Sequence, residues 1–201
     1  MALPKTCTDG EFTLEHYLSW PEQERWQLLD GKAHAMAPPL IKHQRVVIEL
    51  GRQLANQLLG KPCSALVAPV GVALPKPGAA QARSRSERID TVFEPDVVVV
   101  CDPTKIGERY IRGAPDFVVE VLSPSSAAFD QIDKRRRYGQ AGVRELWLID
   151  IDAGLITVWR QNGEDFGAPE FRYAEGVIEV AALPGIALEL DFLLDLRKRE
   201  D

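Results

Sequence analysis

The sequence predicts an α/β fold, a mixed β-sheet covered on both faces. Three observations lead there. Residues 97–101 and 117–122 are continuous apolar runs with no wet side, as strands in the middle of a doubly covered sheet require. A stripe of Val46, Val47, Leu50, Leu54 and Leu58 recurs at helical spacing and marks one covering helix. The length of 201 residues, with 45% hydrophobic and 27% charged residues, suits one ordinary domain spanning 1–201 whose core needs no covalent staple.

The elements follow in order. From Thr13, the residues Leu14, Tyr17, Leu18, Trp26, Leu28 and Leu29 read as helical, with Thr13 as N-cap, Pro21 dividing the segment in two and Asp30-Gly31 as its stop. A short strand over 33–37 meets Pro38-Pro39, and a long helix covers 41–59 and closes at Gly60. Residues 66–74 read as a strand broken near Pro69. Residues 79–90 carry Arg83, Arg85 and Arg88 without periodicity and join two strands as a loop. Beyond the two apolar strands, Ser125 or Ser126 caps a helix that runs to Ala141 and ends at Gly142. Residues 146–149 and 155–159 form a hairpin around Asp150, Asp152 and Gly154, with Trp147 and Trp159 as core residues. Short apolar pieces at 171–173, 177–180 and 188–196 complete the chain as extra C-terminal strands.

Charge and cysteine narrow the function. Asp and Glu outnumber Lys and Arg by 30 to 24, a net charge of −6, which excludes a protein that coats nucleic acid through overall positive charge but leaves a local basic groove open. Cys7, Cys63 and Cys101 are odd in number and form neither a CxxC pair nor a zinc-type cluster, so reduced thiols are expected. The most apolar run is far shorter than the roughly 20 residues of a membrane-spanning helix. The first residues lack the apolar stretch of a signal peptide. A cytoplasmic protein without a membrane partner is the expectation.

The informative residues are acids at the ends of apolar strands. Glu94-Pro95-Asp96 leads directly into the run at 97, and Glu120 interrupts the run at 117. A carboxylate inside a central strand costs several kcal/mol unless it is paired or bound to a cation. Lys134 or an arginine could neutralise Glu120 in a structural ion pair. Alternatively, Asp96 and Glu120 face each other across adjacent strands and hold a hard divalent cation through oxygen ligands. A metal-dependent phosphodiesterase also needs a positive side chain at the same cleft. The position sharing a face with Glu120 on its own strand is Leu122, so the next candidate is Lys134, on a helix where Asp130, Lys134 and Tyr138 fall four residues apart.

Pro95-Asp96, the run Glu120-Val121-Leu122-Ser123-Pro124-Ser125, Asp130 with Lys134 and Tyr138, Ala141-Gly142-Val143 and Leu146-Trp147-Leu148-Ile149-Asp150 form an ordered set. Together with Leu29-Asp30-Gly31, Pro38-Pro39 and His43, this set closely resembles the Uma-two family of restriction-endonuclease-like proteins, within the PD-(D/E)XK nuclease superfamily. The resemblance spans about residues 14–194. It implies a restriction-endonuclease-like mixed sheet flanked by helices, with Asp96 and Glu120 as metal ligands and the Val121 carbonyl as a third. It further implies Mg²⁺ (or Mn²⁺)-dependent hydrolysis of DNA by an activated water, with Lys134 as the motif's displaced lysine. Asp130 and Tyr138 would hold Lys134 or contact phosphate, and His43 would contact phosphate or cap its helix. Arg83, Arg85 and Arg88 are candidates for the DNA backbone, although such arginines are usually only solvated. In the run 134–137, Lys134 faces the site and its neighbours face solvent. The chain departs from the family pattern at Gln27, where a glutamate is usual in what reads as the first helix, and at Lys32, where an acid is common. Gln27 keeps an oxygen but loses a charge, which leaves a catalytically degenerate DNA-binding or dimeric scaffold protein as the alternative. A homodimer would let two sites address two strands.

Overall fold

The computed structural model describes residues 12–21, 25–76, 89–124 and 126–198. In chain order these form α1 (Leu14–Ser19), β1 (Trp26–Leu29), β2 (Lys32–Ala35), α2 (Ile41–Leu58), β3 (Ser64–Val67), β4 (Gly71–Leu74), β5 (Thr91–Phe93), β6 (Val97–Val100), β7 (Tyr110–Arg112) and β8 (Phe117–Val121). A π-helical stretch, Phe129–Lys134, leads into α3 (Arg135–Ala141). There follow β9 (Glu145–Asp150), β10 (Leu155–Asn162), β11 (Asp165–Phe166), β12 (Glu170–Tyr173), β13 (Val177–Glu179), β14 (Ala187–Glu189) and α4 (Phe192–Lys198).

The larger sheet has the order β11-β10-β9-β8-β6-β3, with β12 also pairing β10. It is mixed: β8 and β9 run parallel, while β3, β6 and β8 pair antiparallel. A second sheet, β2-β1-β5-β4-β7, packs against one side of it, and β13 pairs β14 separately.

Side chains alternate along the strands and so separate the two faces of the larger sheet. Val97, Val99, Val119 and Val121 pack with Val46, Val47, Leu50 and Leu54 of α2 and with Val180, Leu188 and Leu193 near the C-terminus. Val98, Val100, Val118, Leu146 and Leu148 pack instead with Tyr138 and Ala141 of α3 and with Val72, Leu74 and Phe93 of the second sheet. Gly51 permits the close approach of α2 to β3, because a Cβ there would come within 2.7 Å of a Val67 methyl group. Gly142, at φ 91°, ends α3 in the left-handed conformation.

The α/β class and the covering helix at 41–58 agree with the sequence reading, whereas several local expectations do not. Residues 26–29 are a strand rather than the second half of a helix. Over four residues the helical and strand periodicities cannot be separated, and pairing with β2 and β5 decides the matter. Asp30 and Gly31, at φ 47° and 81°, are therefore a hairpin turn and not a helix stop. Residues 188–196 divide into β14 and the helix α4. Strands β7 and β11 are too short to show in the sequence pattern.

Cys63 and Cys101 are joined by a disulfide, against the expectation of reduced thiols. The β3–β6 register pairs Ser64 with Val100, so the cysteines stand one step further along the same ladder, a proximity that their separation of 38 residues conceals. Arg137 is buried rather than solvent-facing, donating to the Thr91 hydroxyl and the Pro75 carbonyl. Trp147 is fully buried, while Trp159 is partly buried with the Arg135 guanidinium 5.0 Å from its ring centre. The loop arginines Arg83, Arg85 and Arg88, and Ser125, lie outside the described residues. Among the described residues, no helix is long and apolar enough to cross a membrane.

Candidate active site

The register of β6 on β8 pairs Val97 with Val119. One step further, Asp96 comes opposite Glu120, and alternation places both on the α3 side of the sheet. Asp96 is held at its Oδ2, which accepts the Val121 backbone N–H at 2.8 Å and lies 3.1 Å from His43 Nε2. His43 stands in the first turn of α2 and is buried, and its Nδ1 has no hydrogen-bond partner.

Glu120 is enclosed by the helix that follows β8. Its Oε2 accepts from Lys134 Nζ at 3.0 Å and its Oε1 from the Tyr138 hydroxyl at 2.9 Å. Lys134 Nζ is also 3.0 Å from Asp130 Oδ1. The π-helical stretch spans Asp130 and Lys134, a local widening that recurs at functional sites. The Glu120 and Lys134 side chains are 2% and 3% exposed, so their charges act with little screening by water.

Burial raises the Glu120 pKa to about 8; the Lys134 ammonium pulls it down, while Asp130 and Asp96 add to the rise. Burial works against the Lys134 charge, but Glu120, Asp130 and Asp96 outweigh it and leave its pKa above the ordinary lysine value. Tyr138 is raised well above a free phenol by burial and by Glu120, so its hydroxyl keeps its proton and donates.

These groups open onto a cavity of about 550 Å³ lined by Asp96, Glu120, Val121, Asp130 and Lys134, and also by Gln27, His34 and His43. Glu94 forms part of the wall, with its carboxylate bound by the Tyr17 hydroxyl at 2.9 Å and by the Arg25 guanidinium at 2.8 Å. Gln27 Oε1 accepts the Glu94 backbone N–H at 3.2 Å.

The donor chemistry, though no ligand set, is of the kind a hard divalent cation takes. The donors facing the cavity beside Lys134 are carboxylates, and oxygen is what Mg²⁺ and Mn²⁺ prefer. A carboxylate whose burial lifts its pKa to about 8 is one that added positive charge would relieve. Among the described residues, no three His, Cys, Asp or Glu side chains cluster as a ligand set.

A family model described as "putative restriction endonuclease", Uma2, matches residues 14–191. The chain belongs to the Uma2 family. An uncharacterised protein of Synechocystis is 28% identical over 153 residues, covering 75% of this chain and 74% of that protein. A crystal structure of a "putative nuclease" from Anabaena variabilis superimposes with a TM-score of 0.71 at 19% identity, covering 92% of this chain and 99% of that one. The second likeness shows that the two chains share a fold.

In this Uma2 chain Gln27, His43, Asp96, Glu120, Val121, Asp130 and Lys134 line the cavity and Tyr138 is one hydrogen bond from it, although two arrive by unexpected routes. Gln27 comes from strand β1 and not from a helix, and its oxygen is already engaged by Glu94. His43 does not cap α2; its Nε2 meets the Asp96 carboxylate. Sequence reasoning missed Arg25 as a wall residue and gave Glu94 no role of its own. A charged residue immediately before the Pro-Asp pair was the available signal for Glu94, while Arg25 carried none.

Proposed function

We propose that this protein is a divalent-metal-dependent endonuclease that hydrolyses DNA phosphodiester bonds, working with Mg²⁺ or Mn²⁺. The observation that carries the reading is the Lys134 ammonium, 3.0 Å from Glu120 in the cavity that Asp96 also lines. Family membership and the nuclease description of the Anabaena neighbour support it.

Asp96, Glu120 and the Val121 carbonyl would hold the cation. When bound, such an ion polarises a phosphoryl oxygen and acidifies a water. Asp96 is turned toward its task by the Val121 N–H and His43. Lys134 offers a fixed positive charge to a phosphate entering the cavity, where low dielectric strengthens its effect. Tyr138 and Asp130 keep Glu120 and Lys134 in place.

The test is incubation of supercoiled plasmid with Mg²⁺ or Mn²⁺, comparing the wild type with Asp96→Ala, Glu120→Ala and Lys134→Ala. Nicking by the wild type alone is expected. Equal nicking by all four proteins would trace the activity to a contaminant and overturn the reading. DNA binding without nicking by the wild type would leave the non-cleaving DNA-binding or dimeric scaffold protein instead. Cleavage of both strands would call for a homodimer, checked by light scattering.

A further inference from the structure

A second cavity of about 600 Å³ adjoins the first, and the two share Arg25 and Glu94 as a common wall. Its lining is rich in rings: Tyr17, Trp20, Trp26 and Tyr110. Trp20 forms the hub, with ring centres 5.7 Å from Tyr17 and 6.1 Å from Trp26, both edge to face. The cavity is not purely apolar, because the Arg25–Glu94 pair stands on one side and Glu108 and Arg109 on another. Arg109 donates to the Leu18 carbonyl at 3.2 Å. Trp20 Nε1 is buried and has no hydrogen-bond partner.

Volume, rings and polar edges together describe a site for a flat heterocycle that stacks and also exchanges hydrogen bonds. The position says which heterocycle. Glu94 stands two residues before Asp96, and its carboxylate, held by Tyr17 and Arg25, lines both cavities. A nucleotide whose phosphate rests beside Asp96 and Glu120 therefore has the ring-lined space next to it.

We propose that this second cavity holds an unpaired nucleobase of the strand being cut. The proposal rests on the nuclease reading and adds its substrate form: a single-stranded, or locally opened, nucleic acid. Tyr110 and Tyr17 supply stacking surfaces, Arg109 lies at the rim for the backbone, and a base carbonyl gives the Trp20 N–H its acceptor after a small shift of the ring.

The experiment measures binding of a short fluorescein-labelled oligothymidylate, with Ca²⁺ replacing Mg²⁺, against a strand of equal length bearing abasic sites. The base-bearing strand is expected to bind roughly tenfold more tightly, with the advantage lost in Tyr110→Ala. Equal binding of the two strands would overturn the base site and leave the nuclease reading standing. An advantage that persists in Tyr110→Ala would place the base elsewhere. Failure to bind either strand while plasmid is still nicked would make the substrate duplex and also overturn the proposal; failure of both assays would end both readings. Should Tyr110→Ala not fold, wild-type tryptophan emission decides: quenching by the base-bearing strand and not by the abasic strand is expected, and equal responses refute the site.

Discussion

The two faces of the β6–β8 strand pair are built from the same valine-rich sequence yet differ in kind. Toward α2, Val97, Val99, Val119 and Val121 pack into a large apolar cluster. Just beyond the paired valines, Asp96 and Glu120 continue the ladder, Glu120 meeting Lys134 and Tyr138 from the helical segment after β8 and Asp96 meeting His43 at the start of α2. One face lowers free energy by removing apolar area from water, at roughly 25 cal/mol per Å². The other tolerates buried charge because each charge has a partner, and an arrangement of that kind is retained for chemistry more readily than for stability.

The comparison can be broken by removing one charge. Lys134→Ala leaves Glu120 and Asp130 without their shared cation, and a loss of about 3–5 kcal/mol is expected in urea unfolding at neutral pH. On the apolar face, Leu50→Ala should cost about 2–5 kcal/mol through cavity formation. That loss should be the same at pH 5 and pH 8, and metal binding by the folded protein should be untouched, as calorimetry would check. A loss that varied with pH would show that the two faces are coupled.

A smaller effect sharpens the contrast. The Glu120 pKa rises from 4.5 to about 8 on folding, so between these values the native state holds more protons than the unfolded one. Stability of the metal-free protein is therefore greatest below about pH 4.5 as far as this group is concerned, and falls as pH rises toward 8. The slope is at most roughly 1.4 kcal/mol per pH unit. Glu120→Gln should flatten it, a result read from unfolding midpoints across that range; an unchanged slope would assign the titration to another group. The smallest effect is that of Tyr138→Phe, which removes one buried hydrogen bond to the Glu120 carboxyl and should cost about 1 kcal/mol with the fold intact, as thermal unfolding would report.

Much of the apolar face was legible in the sequence, because its signals are local. The stripe of Val46, Val47, Leu50, Leu54 and Leu58 is a periodicity within one helix, and the runs at 97 and 117 announce their own burial. The charged face was legible only as a list of residues. Asp96, Glu120 and Lys134 could be nominated because charge beside apolar strands demands a partner, yet Gln27 was placed on the wrong kind of element. Arg137 was assigned to solvent in a run of four basic residues, whereas Thr91, Pro75 and Asp30 gather around it from other segments.

The sequence alone determined the α/β class, the covering helix α2, the two central strands and the acids at their ends, since each depends on residues within a few positions of one another. Tertiary structure alone decided the rest: that β1 is a strand, that Cys63 meets Cys101, that His43 reaches Asp96 and that Arg25 and Glu94 divide two cavities. Each of these is a contact between segments distant in the chain. Such contacts are set by strand register and by the packing of one sheet on another, which no short window of sequence contains.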